Sequence, residues 1–279
     1  MFIGTNIYSL IQPSNPVCLM IQQFFSFIDQ LTTIEAFSYA LIENLVIFGF
    51  ALVLGHFLVN KYGDFAIGEP APPVTRYEII LALSVVTLNA VITGAGWYLW
   101  KGGWIVVIHN ASIWKIILDS LVLIIAMDLC MYIFHRIAHH PVVFPIVHVT
   151  HHQYENPRPL TLFVLNPIEA LGFGVLWLVV LTLYQAHWMA IVFYLTFNVL
   201  FGLVGHTGVE IMPKGYLDIP VIRYISTSTF HAEHHMELGH NFGFYTLIWD
   251  KLFGTLNPNY LDDYTSNTTP IASPLPNPN

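Results

Sequence analysis

The chain has 279 residues, of which 26 are charged: 9 basic and 17 acidic. That is 9% charge beside 55% hydrophobic residues, where a soluble domain carries roughly 25% charge, so an ordinary water-soluble enzyme and a disordered chain are both excluded. The net charge of −8 leaves no basic stripe to neutralise phosphates and excludes a nucleic-acid partner.

Residues 1–34 read as an N-terminal segment. Met1 to Gln12 lacks the basic n-region of a cleavable signal, so the spans themselves are expected to direct the chain to a membrane. From Val17 to Leu31, apolar residues recur at helical spacing (Val17, Met20, Ile21, Phe24, Phe27, Ile28, Leu31), with Gln22, Gln23, Asp29 and Gln30 on the other face. This pattern predicts an amphipathic helix lying on the membrane surface.

Residues 35–118 read as a transmembrane region. A hydrocarbon core of roughly 30 Å takes about 20 apolar residues as helix. Phe37 to Val59 qualifies, and so does the uncharged run Ile79 to Trp100. A short connector, Lys61 to Thr75, carries Pro70, Pro72 and Pro73. The next span, Ile113 to Phe134, holds Lys115, Asp119 and Asp128. Ile168 to Tyr184 and Ala186 to Gly205 follow as two full spans or a deep hairpin, and either way the chain returns to the side it left. The Pro-, Asn-, Ser- and Thr-rich stretch 258–279 is expected to be a disordered tail. Cys18 and Cys130 make no disulfide framework, and Cys130 suits packing in an apolar run. The fold class is therefore an all-α integral membrane protein with about four to five transmembrane helices.

Twelve of the fourteen histidines fall between His135 and His240. Three clusters share one grammar: His135-Arg-Ile-Ala-His139-His140, His148-Val-Thr-His151-His152 and His231-Ala-Glu-His234-His235. Spacings of three and four place imidazoles on one helical face, about 5–6 Å apart at Cβ. A lone histidine near a helix end is usually structural, but three such boxes on one membrane face are a metal-binding pattern. Eight or more histidines are too many for one zinc and about right for two ions. Thiolates are absent from the boxes, which disfavours iron–sulfur clusters. A pair of irons held mainly by histidine can activate dioxygen. The chemistry that needs such a site beside a bilayer is attack on a lipid C–H bond. Seven basic residues (Lys61, Arg76, Arg136, Arg158, Lys214, Arg223, Lys251) share the histidine face against Lys101 and Lys115 opposite. The positive-inside rule then puts the active site in the cytoplasm.

Asp128 lies seven residues before His135 on the same helical face. It is the candidate catalytic acid, placed to accept the second ring N–H of a metal-bound histidine. Glu169, Glu210 and Glu233 are weaker candidates for that role, and Asp250 is expected to order the final turn. His140 is balanced between metal ligand and supporting group. His240 and His56 read as structural. His109 and His187 lie on the opposite face and are excluded from the site.

The residues resemble the membrane-bound fatty acid hydroxylase and sterol desaturase superfamily. The three boxes look like its three histidine boxes. The sequence from Asn241-Phe-Gly to Trp249-Asp-Lys-Leu-Phe-Gly-Thr255 is similar to its closing motif, and Gly205-His206-Thr-Gly to a further element. Residues 119–257 are read as that catalytic domain. The resemblance implies a di-iron, oxygen-consuming lipid hydroxylase or desaturase with a helical cytoplasmic cap. It also implies two Fe ions, with Zn as a substitute, and O2 as co-substrate. Carried over by position, the metal ligands are His135, His139, His148, His151, His152, His231, His234 and His235, with His206 a further one. One departure is the run Asn166-Pro-Ile-Glu169, where the family often begins with histidine. Either one metal has an altered shell there, or Asn166 holds a water or a neighbouring ring.

No haem- or flavin-binding region is read in the chain, so cytochrome b5, a ferredoxin or a reductase is expected to supply electrons. The lipid is expected to arrive from the bilayer along the fourth and fifth helices, where Gly172 and Gly174 allow close approach. The rival readings are a divalent-metal transporter and a metal-binding homologue without turnover. Endoplasmic reticulum and bacterial inner membrane both remain open.

Overall fold

The computed structural model describes residues 16–270. Helix α1 (Pro16–Gln30) matches the amphipathic segment in extent. Thr32 then caps α2 (Thr33–Lys61) in a reciprocal capping box with Glu35. Thr75 and Glu78 do the same for α3 (Arg76–Lys101). Ser112 caps α4 (Ile113–Ala138). Two one-turn helices follow, α5 (Phe144–Val147) and α6 (Val149–His152). Helix α7 (Pro167–Leu183) and helix α8 (Trp188–Gly205) form the returning pair.

Four helices, α2, α3, α4 and α8, are long and apolar enough to cross a membrane, and α7 is a shorter apolar helix. The three long ones, with 29, 26 and 26 residues, reach about 40 Å at about 1.5 Å per residue. Their ends therefore project beyond the hydrocarbon layer. Outward side chains such as Val53, Ile80, Leu121 and Phe193 are apolar and exposed, which suits contact with lipid rather than water. The chain is an integral membrane protein.

The three histidine boxes and His206 lie at one end of this bundle, where α4 and α8 finish and α7 begins. The opposite end is tied by Asp119, near the start of α4. Its carboxylate accepts from Lys115 Nζ, from Tyr184 Oη at 2.5 Å and from the His187 backbone N–H at 2.9 Å. Beside it a parallel pair of two-residue strands, β1 (Val107–Ile108) and β2 (Ala186–His187), clips the α3–α4 connection to the α7–α8 turn. Helix α1 docks at this far end, where Trp97 Nε1 donates to Ile28 O at 2.9 Å and Lys101 Nζ to Asp29 O at 2.6 Å.

One apolar core joins α4, α7 and α8 through Leu123, Met127, Leu181 and Tyr194. A second joins α2, α3 and α8 through Ala51, Ala82, Val86 and Leu203. Above the histidine end sit α9 (Ser228–Met236), α10 (Ile248–Phe253) and α11 (Tyr260–Asn267). Helix α11 corrects the expected disordered tail over its own length. Tyr260 and Tyr264 are buried in a core with Phe230 and Leu247, and two aromatic anchors outweigh the polar composition around them. The last nine residues of that tail lie outside the described residues.

Candidate metal centre

Each histidine box rides on a different kind of scaffold. His135 is on the last turn of α4 and His139 is its C-cap. His148 sits between α5 and α6, and His151 and His152 end α6. His231, His234 and His235 line one side of α9, which Thr227 caps at its start. His206 follows the last turn of α8. The Gly208 after it has φ +69°, and a Cβ there would meet the Pro157 carbonyl at 2.5 Å. Only glycine fits that turn.

These elements gather nine imidazoles into two groups. His135, His139, His148, His152 and His234 form one, and His151, His206, His231 and His235 the other. Within each group the ligand atoms lie within 4.8 Å of one another. The boxes do not map onto the groups. His148 and His152 enter the first while His151 between them enters the second, and α9 is divided in the same way.

The nitrogens face one another through Nε2. His135 and His148 are separated by 3.0 Å, His139 and His234 by 3.1 Å, and His152 lies 3.2 Å from both His139 and His148. In the second group His231 lies 3.2 Å from His206 and 3.1 Å from His235. Four of the Nδ1 atoms point outward to acceptors, whereas those of His151, His152 and His235 are buried without a partner among the described residues. His135 donates to Phe242 O at 2.9 Å, His148 to Glu169 Oε1 at 2.7 Å, His234 to His240 O at 2.7 Å and His206 to Gly202 O at 2.7 Å. Those acceptors place the proton on Nδ1 and leave a lone pair on Nε2.

Lone pairs of His135 and His148 facing each other at 3.0 Å repel unless a cation lies between them. Ligands about 2.0–2.1 Å from one ion stand about 3 Å apart when adjacent, which matches the spacing here. The donor set therefore fits a metal in each group. Burial reinforces it by keeping the rings neutral. Burial, then neighbouring imidazoles, push His139 down to about 3 and His148 to about 2. Burial alone lowers His152 and His206 to about 4. Neutral imidazole is the form that binds metal.

The carbonyl behind His135 is itself held. Asp250 accepts from the Phe242 and Gly243 backbone N–H groups at 2.8 and 2.7 Å and from Thr255 Oγ1 at 2.7 Å. Asn241, at φ +58°, donates to Glu233 Oε2 at 2.8 Å and to Phe230 O at 3.1 Å. The closing motif thus works as a scaffold behind the first group, and Asp250 orders the final turn as expected.

Several sequence expectations are corrected. Asp128 touches no histidine. Its carboxylate takes the Tyr245 N–H at 2.8 Å, Thr246 Oγ1 at 2.6 Å and Trp249 Nε1 at 3.0 Å. Seven residues along a helix are about 10 Å, too far for the carboxylate to reach the ring of His135. Its donors instead come from the segment leading into α10. His140 is exposed and lies outside both groups, its Nδ1 facing the Val142 N–H at 3.4 Å. The helix ends at Ala138, so His140 turns away with the chain. Asn166 neither ligates nor holds a ring. It caps α7 by accepting from Ile168 N at 2.9 Å and donates to Ile146 O at 2.8 Å.

Of the three weaker acids, only Glu169 reaches a ring. Glu210 takes the Thr229 N–H and Oγ1, and Glu233 takes Asn241. His240 contributes its backbone carbonyl, not its ring. His56 is exposed. His187 caps α8 at the far end and contacts the His109 carbonyl there at 3.1 Å. The carbonyls of Phe242, His240 and Gly202 were not foreseen, because a backbone group leaves no mark in residue type.

A cavity of about 680 Å³ opens between the spans and runs from Trp97 and Trp100 near the far end to His135, His148, His151, His206 and His231. Gly174 lines it and packs on Ile92 of α3, whereas Gly172 packs on the Phe134 ring outside it.

Comparison with known proteins bears out the resemblance. The family model described as fatty acid hydroxylase matches residues 120–255. The chain is 28% identical over 128 residues to a Delta(7)-sterol 5(6)-desaturase of Leptosphaeria maculans, covering 46% of this chain and 34% of that one. It is 32% identical over 145 residues to a very-long-chain aldehyde decarbonylase of Oryza sativa subsp. indica, covering 50% and 23%. It is 28% identical over 128 residues to a methylsterol monooxygenase of Danio rerio, covering 46% and 43%. The aligned part thus spans about a third of the desaturase's length. No solved structure matches the chain.

Proposed function

We propose that this chain is a membrane-embedded, O2-dependent lipid oxidase with a di-iron centre. The observation that carries the reading is the pair of imidazole groups at the head of a cavity sunk between membrane spans. His135, His139, His148, His152 and His234 would hold one ion, and His151, His206, His231 and His235 the other. Two irons bound there would supply dioxygen binding and the oxidising power to break an unactivated C–H bond; zinc would occupy the same ligands without that power.

The residues of the chain do the rest. Glu169 and the Phe242, His240 and Gly202 carbonyls would keep the Nε2 atoms of His148, His135, His234 and His206 aimed inward. The apolar cavity walls take a lipid from the bilayer and keep water away from the reacting carbon. The product is an alcohol or a double bond. A separate donor such as cytochrome b5, a ferredoxin or a reductase would deliver electrons on the cytoplasmic side. The sterol-modifying relatives favour a sterol or fatty-acyl substrate and the endoplasmic reticulum as location.

The test has two parts. The purified protein is expected to hold about two metals per chain, with marked loss in His151→Ala and in His234→Ala, one from each group. Unchanged metal content in both variants breaks the assignment. Lipid mass spectrometry in a host lacking such an enzyme, with a donor present, should show one oxygen gained or two hydrogens lost. An unchanged lipidome counts against catalysis, and metal flux in proteoliposomes would favour a transporter.

A further inference from the structure

The mechanism above does not use a belt of amides halfway down the cavity. Ala51 of α2, Ala82 of α3 and Leu203 of α8 belong to one buried cluster. Asn44 and Asn89 lie seven residues from Ala51 and Ala82, and Asn198 five from Leu203, all toward the far end. At about 1.5 Å per residue, each sits roughly 7–11 Å from its cluster residue along its own helix. All three line the cavity. Asn198 is eight residues before His206 on the same helix, or about 12 Å along its axis.

These amides carry open hydrogen-bonding groups. Asn44 donates to Ala40 O at 2.9 Å, which leaves its Oδ1. Asn198 Oδ1 accepts from Tyr245 Oη at 2.5 Å, which leaves its Nδ2 donors. Asn89 has no hydrogen-bond partner among the described residues. Polar side chains within membrane spans are costly and usually functional. Here they face a cavity whose other walls are mainly apolar.

The chemistry narrows the ligand. A bare hydrocarbon leaves every one of these groups unpaired. A carboxylate or phosphate would find no Lys or Arg in the lining and would meet Glu43, which is part of it. A neutral hydroxyl is both donor and acceptor and suits an amide that offers both.

The geometry points to a lipid bearing a hydroxyl, held by amides among Asn44, Asn89 and Asn198, the last of them about 12 Å along α8 from His206. The carbon that meets the histidine groups is then about 12 Å from that hydroxyl rather than next to it. That this lipid is also oxidised rests on the oxidase reading, whereas its binding rests on the cavity alone. A rigid sterol and a linear long-chain alcohol share the required chemistry.

The test is binding, without turnover, to the full-length protein in phospholipid nanodiscs. The probe is dehydroergosterol, a fluorescent sterol with one hydroxyl, read by energy transfer from Trp97, Trp100 and Trp177 in the cavity wall. Saturable transfer is expected. It should weaken at least ten-fold for the O-methyl ether of the probe and at least ten-fold in Asn89→Leu, with metal content unchanged. Competition by octadecan-1-ol but not octadecane assigns the hydroxyl to linear alcohols as well, and competition by sterols alone assigns it to sterols. Equal binding of probe and ether, or unchanged affinity in both Asn89→Leu and Asn198→Leu, overturns the proposal and leaves the amides to water. No saturable binding of sterol or alcohol overturns it too. Metal loss in His234→Ala tests the oxidase reading separately, since none of the three asparagines touches the histidine groups.

Discussion

Glu169 Oε1 accepts from His148 Nδ1 at 2.7 Å, with both side chains buried. A carboxylate in that position fixes the tautomer and raises the basicity of the opposite nitrogen. Glu169→Gln keeps the size and removes the charge, so metal affinity is expected to fall about 10–100-fold. Chelator competition on the purified protein measures this, and an unchanged affinity removes Glu169 from the site. Eight of the nine imidazoles were legible because spacings of three and four betray a shared face, and His206, outside the boxes, was reached only through the resemblance. Their division into two groups was not, since His151 and His152 are neighbours in sequence and turn to different groups. Asp128 misled for a related reason. Helical phase shows which face a residue occupies but not which loop comes to meet it. Asn166 looked like a damaged ligand, yet Pro167 after it marks a helix start, where asparagine is a favoured cap.

At the scale of elements, Asp128 joins α4 to the segment that enters α10. It satisfies two side-chain donors and one close backbone N–H from residues 245–249. Asp128→Asn replaces one acceptor oxygen by a donor that faces other donors. The loss is expected to cost on the order of 1.5–3 kcal/mol and to lower the melting temperature, while metal content stays at the wild-type level. Melting followed with metal analysis separates this from Glu169→Gln, where metal is lost. Loss of metal in Asp128→Asn as well would return that acid to the centre. The spans were readable to within a few residues because apolar length carries a strong signal. Helix α11 was not, because two buried tyrosines hold it against the cap and the composition around them is that of a loop.

At the scale of the molecule, all nine imidazoles occupy one end of the bundle, and the Asp119 network and the β1–β2 clip occupy the other. Charge should decide which end faces the cytoplasm. Lys61 and Arg76 close α2 and α3 at the histidine end, and Arg158 there is paired with the buried Glu78. Lys101 and Lys115 mark the opposite end. Seven basic residues against two give an expected orientation with the histidines in the cytoplasm. Single cysteines placed in the 103–111 loop and beside Lys214 test this with a membrane-impermeant thiol reagent on intact cells or sealed microsomes. Both are loops at the surface of the bundle, so labelling there reports sidedness rather than folding. On intact cells the first position should label directly and the second only after permeabilisation; in sealed microsomes, whose cytoplasmic face is outward, the second should label directly and the first only after permeabilisation. The reverse pattern would put the metal centre on the outer or lumenal face. A cytosolic electron donor could not reach it there, so this measurement bears on the source of electrons as directly as on topology.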